Sequence, residues 1–292
     1  MLIIGSHVSF GKNQLLGCVE ETIKYGGNVF MFYTGAPQNT FRSKIDNNLT
    51  IEAYKLMNNN NILFDKVICH APYIINLANN LDPSRYQFSM NFLRSEIDRC
   101  ISLGVKYLVL HPGSAVKLDR EIAIDNIINA LNLVLKKEDE IMILLETMAG
   151  KGTEIGINLN ELKYIIDNIN LEEKIGVCID TCHLNDSGVD LNYFDDYLNN
   201  FESLIGLDKL KCVHINDTKN EVGMKKDRHA NIGLGTIGFE NILKVIYHEK
   251  LKNVPKILET PYVDDKPPYK HEIKMIKNKT FNPNLLEDII KE

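Results

Sequence analysis

Six residues able to hold a metal or move a proton stand at the ends of short apolar runs: His70, His111, Glu146, Asp180, His214 and Glu259. An imidazole or carboxylate closing an apolar strand is costly to bury unless something pairs with it. Two further pairs lie just downstream. Asp180-Thr-Cys-His183 sets a carboxylate and an imidazole three residues apart, and Asp227-Arg-His229 sets another such pair two apart. Together these make nine candidate ligands: His70, His111, Glu146, Asp180, His183, His214, Asp227, His229 and Glu259. A tetrahedral catalytic site uses about three protein ligands plus water, so nine, with one or more bridging, suffice for about three divalent ions. Imidazole and carboxylate donors suit zinc or manganese. One strand-end His or Asp is more often a hydrogen-bonded structural residue. The joint pattern carries the metal reading, because five of the eight histidines lie at or just past successive strand ends. His7, after the first run, lines the same region behind the ligands, while His248 and His271 read as surface residues.

These residues must be positioned by the elements that carry them. Eight short apolar runs recur: Leu2–Gly5, Val29–Tyr33, Lys66–His70, Tyr107–His111, Ile141–Glu146, Ile175–Asp180, Lys211–His214 and Pro255–Glu259. Each is mostly apolar and often β-branched, as buried parallel strands are. Amphipathic stretches separate them. In Ser84–Leu103, the residues Phe88, Phe92, Leu93, Ile97 and Cys100 share one helical face, and Gly104 stops the helix. Leu131–Leu135 and Leu162–Ile169 carry similar faces. Strands alternating with helices imply a parallel sheet, and eight strands are the number that closes a (β/α)8 TIM barrel. An open doubly wound sheet is the competing architecture. In the barrel, all six strand-end groups converge on the C-terminal mouth, where such enzymes keep their chemistry.

Length and composition fit this reading. The 292 residues, 44% hydrophobic and 25% charged, suit a single α/β barrel spanning 1–292 and exclude a disordered or fibrous chain. No apolar run approaches the ~18 residues of a membrane helix, and Met1-Leu-Ile-Ile-Gly5 does not read as a signal peptide. A cytoplasmic protein with reduced thiols at Cys18, Cys69, Cys100, Cys178, Cys182 and Cys212 is therefore expected. The net charge of −6 argues against a nucleic-acid partner unless positive charge is concentrated locally.

The motifs resemble those of the endonuclease IV family of apurinic/apyrimidinic (AP) endonucleases. The resemblance is carried by Gly5-Ser-His-Val-Ser9, His70-Ala-Pro-Tyr-Ile-Ile-Asn-Leu77, Leu110-His-Pro-Gly113 and Leu145-Glu-Thr-Met-Ala-Gly-Lys-Gly-Thr-Glu154. It continues through Cys178-Ile-Asp-Thr-Cys-His183, His214-Ile-Asn-Asp217, Asp227-Arg-His-Ala-Asn-Ile-Gly233 and Leu258-Glu-Thr-Pro261, in order over nearly the whole chain. It implies the same TIM barrel and a trinuclear zinc site, with manganese possible in part of it. His70, His111 and Glu146 would hold one metal. Glu146 would bridge to a second, completed by Asp180, His214 and Glu259, and His183, Asp227 and His229 would hold the third. The implied activity is hydrolysis of the phosphodiester 5′ to an abasic site in duplex DNA, leaving a 3′-hydroxyl and a 5′-deoxyribose phosphate. The expected nucleophile is a hydroxide between the first two metals, oriented by the catalytic pair Glu259 and Glu146. A metal-dependent sugar isomerase or epimerase of the xylose-isomerase-like barrels is the alternative, and a lesion binder without catalysis a third.

DNA contacts are expected from the mouth loops. The resemblance gives Tyr73 and Ile74 the role of probing the base stack at the lesion. The turn-rich loop Thr34–Thr40 offers Gln38 and Asn39, with Arg42 beyond. Arg42, Lys151, Lys225, Lys226 and Arg228 are candidate phosphate contacts. A monomer suffices to grip a duplex, and the cell's nucleoid would be its place if the source is bacterial. Gly233-Leu-Gly-Thr-Ile-Gly238 fits G-x-G-x-x-G but follows a ligand loop rather than a strand, so it is no dinucleotide site, though a phosphate is expected there. Cys178 and Cys182 read as packed thiols rather than zinc ligands.

Overall fold

The computed structural model describes residues 1–291. Ten strands are present: β1 (Ile4–His7), β2 (Val29–Phe32), β3 (Ile68–His70), β4 (Tyr107–Leu110), β5 (Met142–Glu146), β6 (Ile175–Asp180), β7 (Leu210–Ile215), β8 (Asp217–Thr218), β9 (His229–Ala230) and β10 (Lys256–Leu258). Eight parallel strands close a barrel in the order β1-β10-β7-β6-β5-β4-β3-β2, as the sequence pattern implied, and the open sheet is excluded. The remaining two, β8 and β9, form a separate antiparallel pair. Each apolar run expected as a strand overlaps one, with ends displaced by up to two residues. The first displacement matters. β1 runs to His7 because Ile4 is in register with Lys256 and Gly5 with Val29, so His7 itself belongs to the strand end. A side chain at Gly5 would place its Cβ 1.6 Å from the Val29 carbonyl oxygen, so only glycine lets these two strands close.

The barrel interior below the mouth is filled by Val29, Met31, Ile68, Val109, Leu144 and Ile257, joined by Cys178 and Cys212. A larger apolar layer lies between the strands and the surrounding helices. Helix Pro83–Ser102 shows how the outer ring is made. Asp82 caps its N-terminus through the Ser84 and Arg85 amides, proline stands in its first turn, and Leu93, Ile97 and Cys100 turn inward. All six cysteines are buried and free of disulfides. No described helix is long and apolar enough to cross a membrane.

Candidate metal centre at the barrel mouth

The strand ends gather the expected groups into one buried cluster. Glu146, closing β5, lies at its centre. Its Oε2 is 3.2 Å from His70 Nε2 and 3.1 Å from His111 Nε2, while its Oε1 is 3.1 Å from His214 Nδ1. The carboxylate thus divides its two oxygens between two groups, which is the geometry of a bridge. His214 Nδ1 is also 2.9 Å from Glu259 Oε2, and Asp180 completes this second group. In a third group, Asp227 Oδ1 is 3.2 Å from His183 Nε2 and 3.4 Å from His229 Nε2. Asp180 borders this group as well, since ligand atoms of Asp180, His183 and His229 lie within 4.8 Å of one another. All nine residues singled out in the sequence therefore meet at one mouth.

The hydrogen bonds behind these groups decide which ring nitrogens face inward. His70 Nδ1 is 2.7 Å from the Ala71 carbonyl, His183 Nδ1 is 2.9 Å from that of Thr147, and His229 Nδ1 is 3.2 Å from that of Glu259. A carbonyl oxygen only accepts, so each Nδ1 carries the proton and each neutral ring turns a lone pair on Nε2 toward a carboxylate oxygen. Lone pairs facing each other at 3.2–3.4 Å repel unless a proton or a cation lies between them. Two ligands about 2.0–2.1 Å from one tetrahedral ion stand about 3.3–3.4 Å apart, which matches these spacings. The donor set, its second-layer carbonyls and its spacing fit divalent metal ions.

The electrostatics agree. Burial alone would lower the imidazole pKa values, yet those of His183 and His229 stand well above their ordinary value. Asp180, Asp227 and Glu146 raise the first; Asp227, Cys182 and Asp180 raise the second. The Glu146 carboxyl is held well below the carboxylate range despite its burial, by His214 and His111. Burial raises the Glu259 carboxyl, but His214 outweighs it and brings it down to about 2. Without metals the carboxylates beside them thus favour protons on His183 and His229. His7 behaves differently. Burial, with opposition from Glu259, lowers it to about 4, and its ring packs 4.9 Å from that of Tyr33. It is a neutral wall behind the ligands, in keeping with the sequence reading. Burial raises the Cys182 thiol, whose sulfur lies within 4.8 Å of ligand atoms of Asp227 and His229.

Several expected DNA contacts stand differently. Tyr73 is half exposed on the loop after β3, but Ile74 is partly buried against the apolar layer. Gln38, Asn39 and Arg228 are exposed. Arg42 corrects the sequence reading. Its Nε donates at 2.5 Å to Glu96, which is fully buried, and its guanidinium lies 4.9 Å from the Phe92 ring centre. An unpaired buried Glu96 would be costly, so Arg42 is committed to the fold rather than to a phosphate. The glycine loop is a second correction. The amides of Gly233, Gly235, Ile237 and Gly238 all donate to the Asp217 carboxylate, so the anion held there is the chain's own. A Cβ at Gly235 would fall 2.3 Å from Asp217 Oδ1, which explains glycine at that position. Asp217 stood out in the sequence only as part of a motif, and Asp186 and Glu272 carried no spacing signal at all.

A family model described as xylose isomerase-like TIM barrel matches residues 19–279. The probable endonuclease 4 of Bacillus subtilis strain 168 is 50% identical over 100% of both chains. The chain belongs to the endonuclease IV family. The crystal structure of endonuclease IV from Thermus thermophilus superposes with a TM-score of 0.79 at 26% identity, covering 98% of this chain and 99% of that one. A D-tagatose 3-epimerase-like protein superposes at 0.68 over 98% of both chains, but at 19% identity it shows only that the barrel is shared. The family thus joins the cluster at the mouth to the nuclease branch of these barrels, and the isomerase alternative is not favoured.

Proposed function

We propose that the protein hydrolyses the phosphodiester 5′ to an abasic site in duplex DNA, leaving a 3′-hydroxyl and a 5′-deoxyribose phosphate, with three zinc ions at the barrel mouth. The observation that carries this reading is Glu146 sharing its two oxygens between adjoining ligand groups beside a third built on Asp227. When bound, divalent ions supply charge neutralisation of the phosphodiester, water whose pKa falls from 15.7 to about 7, and stabilisation of the leaving alkoxide.

The chain's own residues do the rest. Glu259, held ionised by His214, accepts a hydrogen bond from the attacking water and orients it. Glu146 fixes the distance between the first two groups, and Thr147, Ala71 and the Glu259 carbonyl lock the ring orientations. Exposed Tyr73 is placed to enter the base stack, with Ile74 bracing the loop from beneath. Exposed Arg228, Gln38 and Asn39 would contact the DNA backbone. Three divalent ions add about six positive charges at the mouth, which offsets a net charge of −6 where the DNA binds.

The deciding experiment is nicking of a duplex oligonucleotide bearing one abasic analogue, with and without chelator, alongside zinc content per chain. Incision 5′ to the analogue that chelator abolishes and zinc restores is expected. Intact duplex in the presence of zinc refutes the reading, and one or two tightly held metals with turnover of a ketose would revive the isomerase.

A further inference from the structure

The third ligand group is the one that the barrel does not build. Asp227 lies on the excursion between β7 and β10, and its backbone is in the left-handed region at φ +53°, as is that of Lys225 at φ +55°. Such a conformation costs about 1–3 kcal/mol for a non-glycine residue and persists only when its surroundings hold it. What holds it is Asp186. The Asp227 amide donates to Asp186 Oδ2 at 2.6 Å and the Lys226 amide donates to the same oxygen at 3.3 Å. Asn220 donates to it from its side chain at 2.8 Å, and the Lys225 amide donates to the Asp186 carbonyl at 3.0 Å. The carboxylate is wholly buried and, among the described residues, faces donors from this excursion and its own helix.

Asp186 also shares the helix Thr181–Ser187 with His183, three residues earlier. One short helix therefore carries a ligand and, one turn on, the anion that fixes the backbone of the opposing ligand. The 3.2 Å between His183 Nε2 and Asp227 Oδ1 is set through this residue.

We infer that Asp186 is the positioning residue of the third metal site, holding Asp227 opposite His183 without touching the metal itself. The inference rests on the three-zinc reading and deepens it. Asp186→Asn keeps the shape and removes the charge on which the Asp227, Lys226 and Asn220 donors converge. Altering such an outer partner typically weakens a metal by about 10–100-fold.

The test is zinc content of the full chain after equilibration against graded chelator, with the unfolding midpoint measured in excess chelator. Wild type is expected to keep three equivalents, and Asp186→Asn to release one of them at about 10–100-fold lower chelator strength. The other two should stay unmoved, and the metal-free midpoint should fall only by what the weakened hydrogen bonds to Asp186 account for. A general loss of structure would shift all three equivalents and the midpoint together, and would overturn the positioning role. So would three equivalents held as tightly as in wild type. If Asp186→Asn does not fold, Asp186→Glu, which retains the charge and displaces it by one methylene, carries the same comparison with the same expected and contrary results. Fewer than three equivalents in wild type would fell the three-zinc reading and this inference together. Three in wild type with three in the variant fells this inference alone.

Discussion

Two regions of the mouth hold ligands by different means. On one side His70, Glu146, Asp180 and His214 sit within barrel strands, where parallel register with a neighbouring strand, and with both neighbours at His214, fixes their backbones. On the other side Asp227 and His229 come from an excursion whose ladder, among the described residues, is the two-residue pairing of β8 with β9. That excursion is fastened by three buried carboxylates that are not ligands. Asp186 takes the amides at 226 and 227, Asp217 takes four amides of the glycine loop, and Glu272 takes Asn231 and Ile232 while also contacting Thr260, next to Glu259. Where sheet register ends, buried carboxyl groups do the positioning. A ligand's precision then depends on residues that never meet the substrate.

Removing charge at the strand-borne side should have the largest effect. Glu146→Gln withdraws a carboxylate common to two groups, so zinc content should fall to about one equivalent per chain, leaving no measurable nicking. Glu259→Gln is milder in structure but should lower the rate by about 10²–10⁴-fold with DNA binding retained. Near-normal turnover of the second variant in a single-turnover assay would take Glu259 out of the reaction.

The excursion should answer first in stability. Asp217→Ala would orphan four amides beside Thr218, and each unmade buried hydrogen bond costs about 1–3 kcal/mol. Because water can reach part of the loop, a loss of at least about 3 kcal/mol is expected from urea unfolding of the metal-free chain. A loss below 1 kcal/mol, roughly the value of one ordinary hydrogen bond, would show that the glycine loop holds itself.

The same division explains what could be read from the chain. The strand-borne ligands were legible because each ends an apolar run, and a run of that kind fixes both the strand and the direction of its last side chain. The trio His183, Asp227 and His229 was legible only by residue type and resemblance. Asp186 and Glu272 were not, because a buried acid that accepts backbone amides looks in sequence like any surface acid. Arg42 failed for a related reason. A basic residue in a turn-rich loop has no mark showing that Glu96, more than fifty residues away, claims its guanidinium. Closure and most of the buried face of helix Pro83–Ser102 followed from periodicity, although Phe88, expected on that face, is exposed, whereas the partners of buried charges depend on long-range packing that periodicity does not encode.

Glu272 sharpens the comparison through pH. Burial, against the hydrogen bonds from Thr260, Ile232 and Asn231, raises its carboxyl to about 7 from an ordinary 4.5. The folded chain therefore binds this proton where the unfolded chain has lost it. Stability contributed by the protonated form is complete below about 4.5 and declines as pH rises to about 7, with no further change above. Glu272→Gln imitates the protonated group, so the difference in unfolding free energy between variant and wild type should move in the variant's favour across that interval. A difference constant with pH would mean that Glu272 titrates at its ordinary value and fastens the loop as a charged group.

Arg228 should give the smallest effect, and it tests the excursion's outer face rather than its anchoring. It is exposed and lies between the two ligands Asp227 and His229. If it meets a phosphate, Arg228→Ala should weaken binding about equally for abasic and intact duplexes and lower the slope of log affinity against log salt by about 1. Zinc content should not change, because the carboxylates that fasten the loop are untouched. An unaltered salt slope would return Arg228 to the solvent. A lost zinc equivalent would mean instead that the loop is less firmly held by Asp186, Asp217 and Glu272 than their hydrogen bonds require, and the contrast between the two sides of the mouth would narrow.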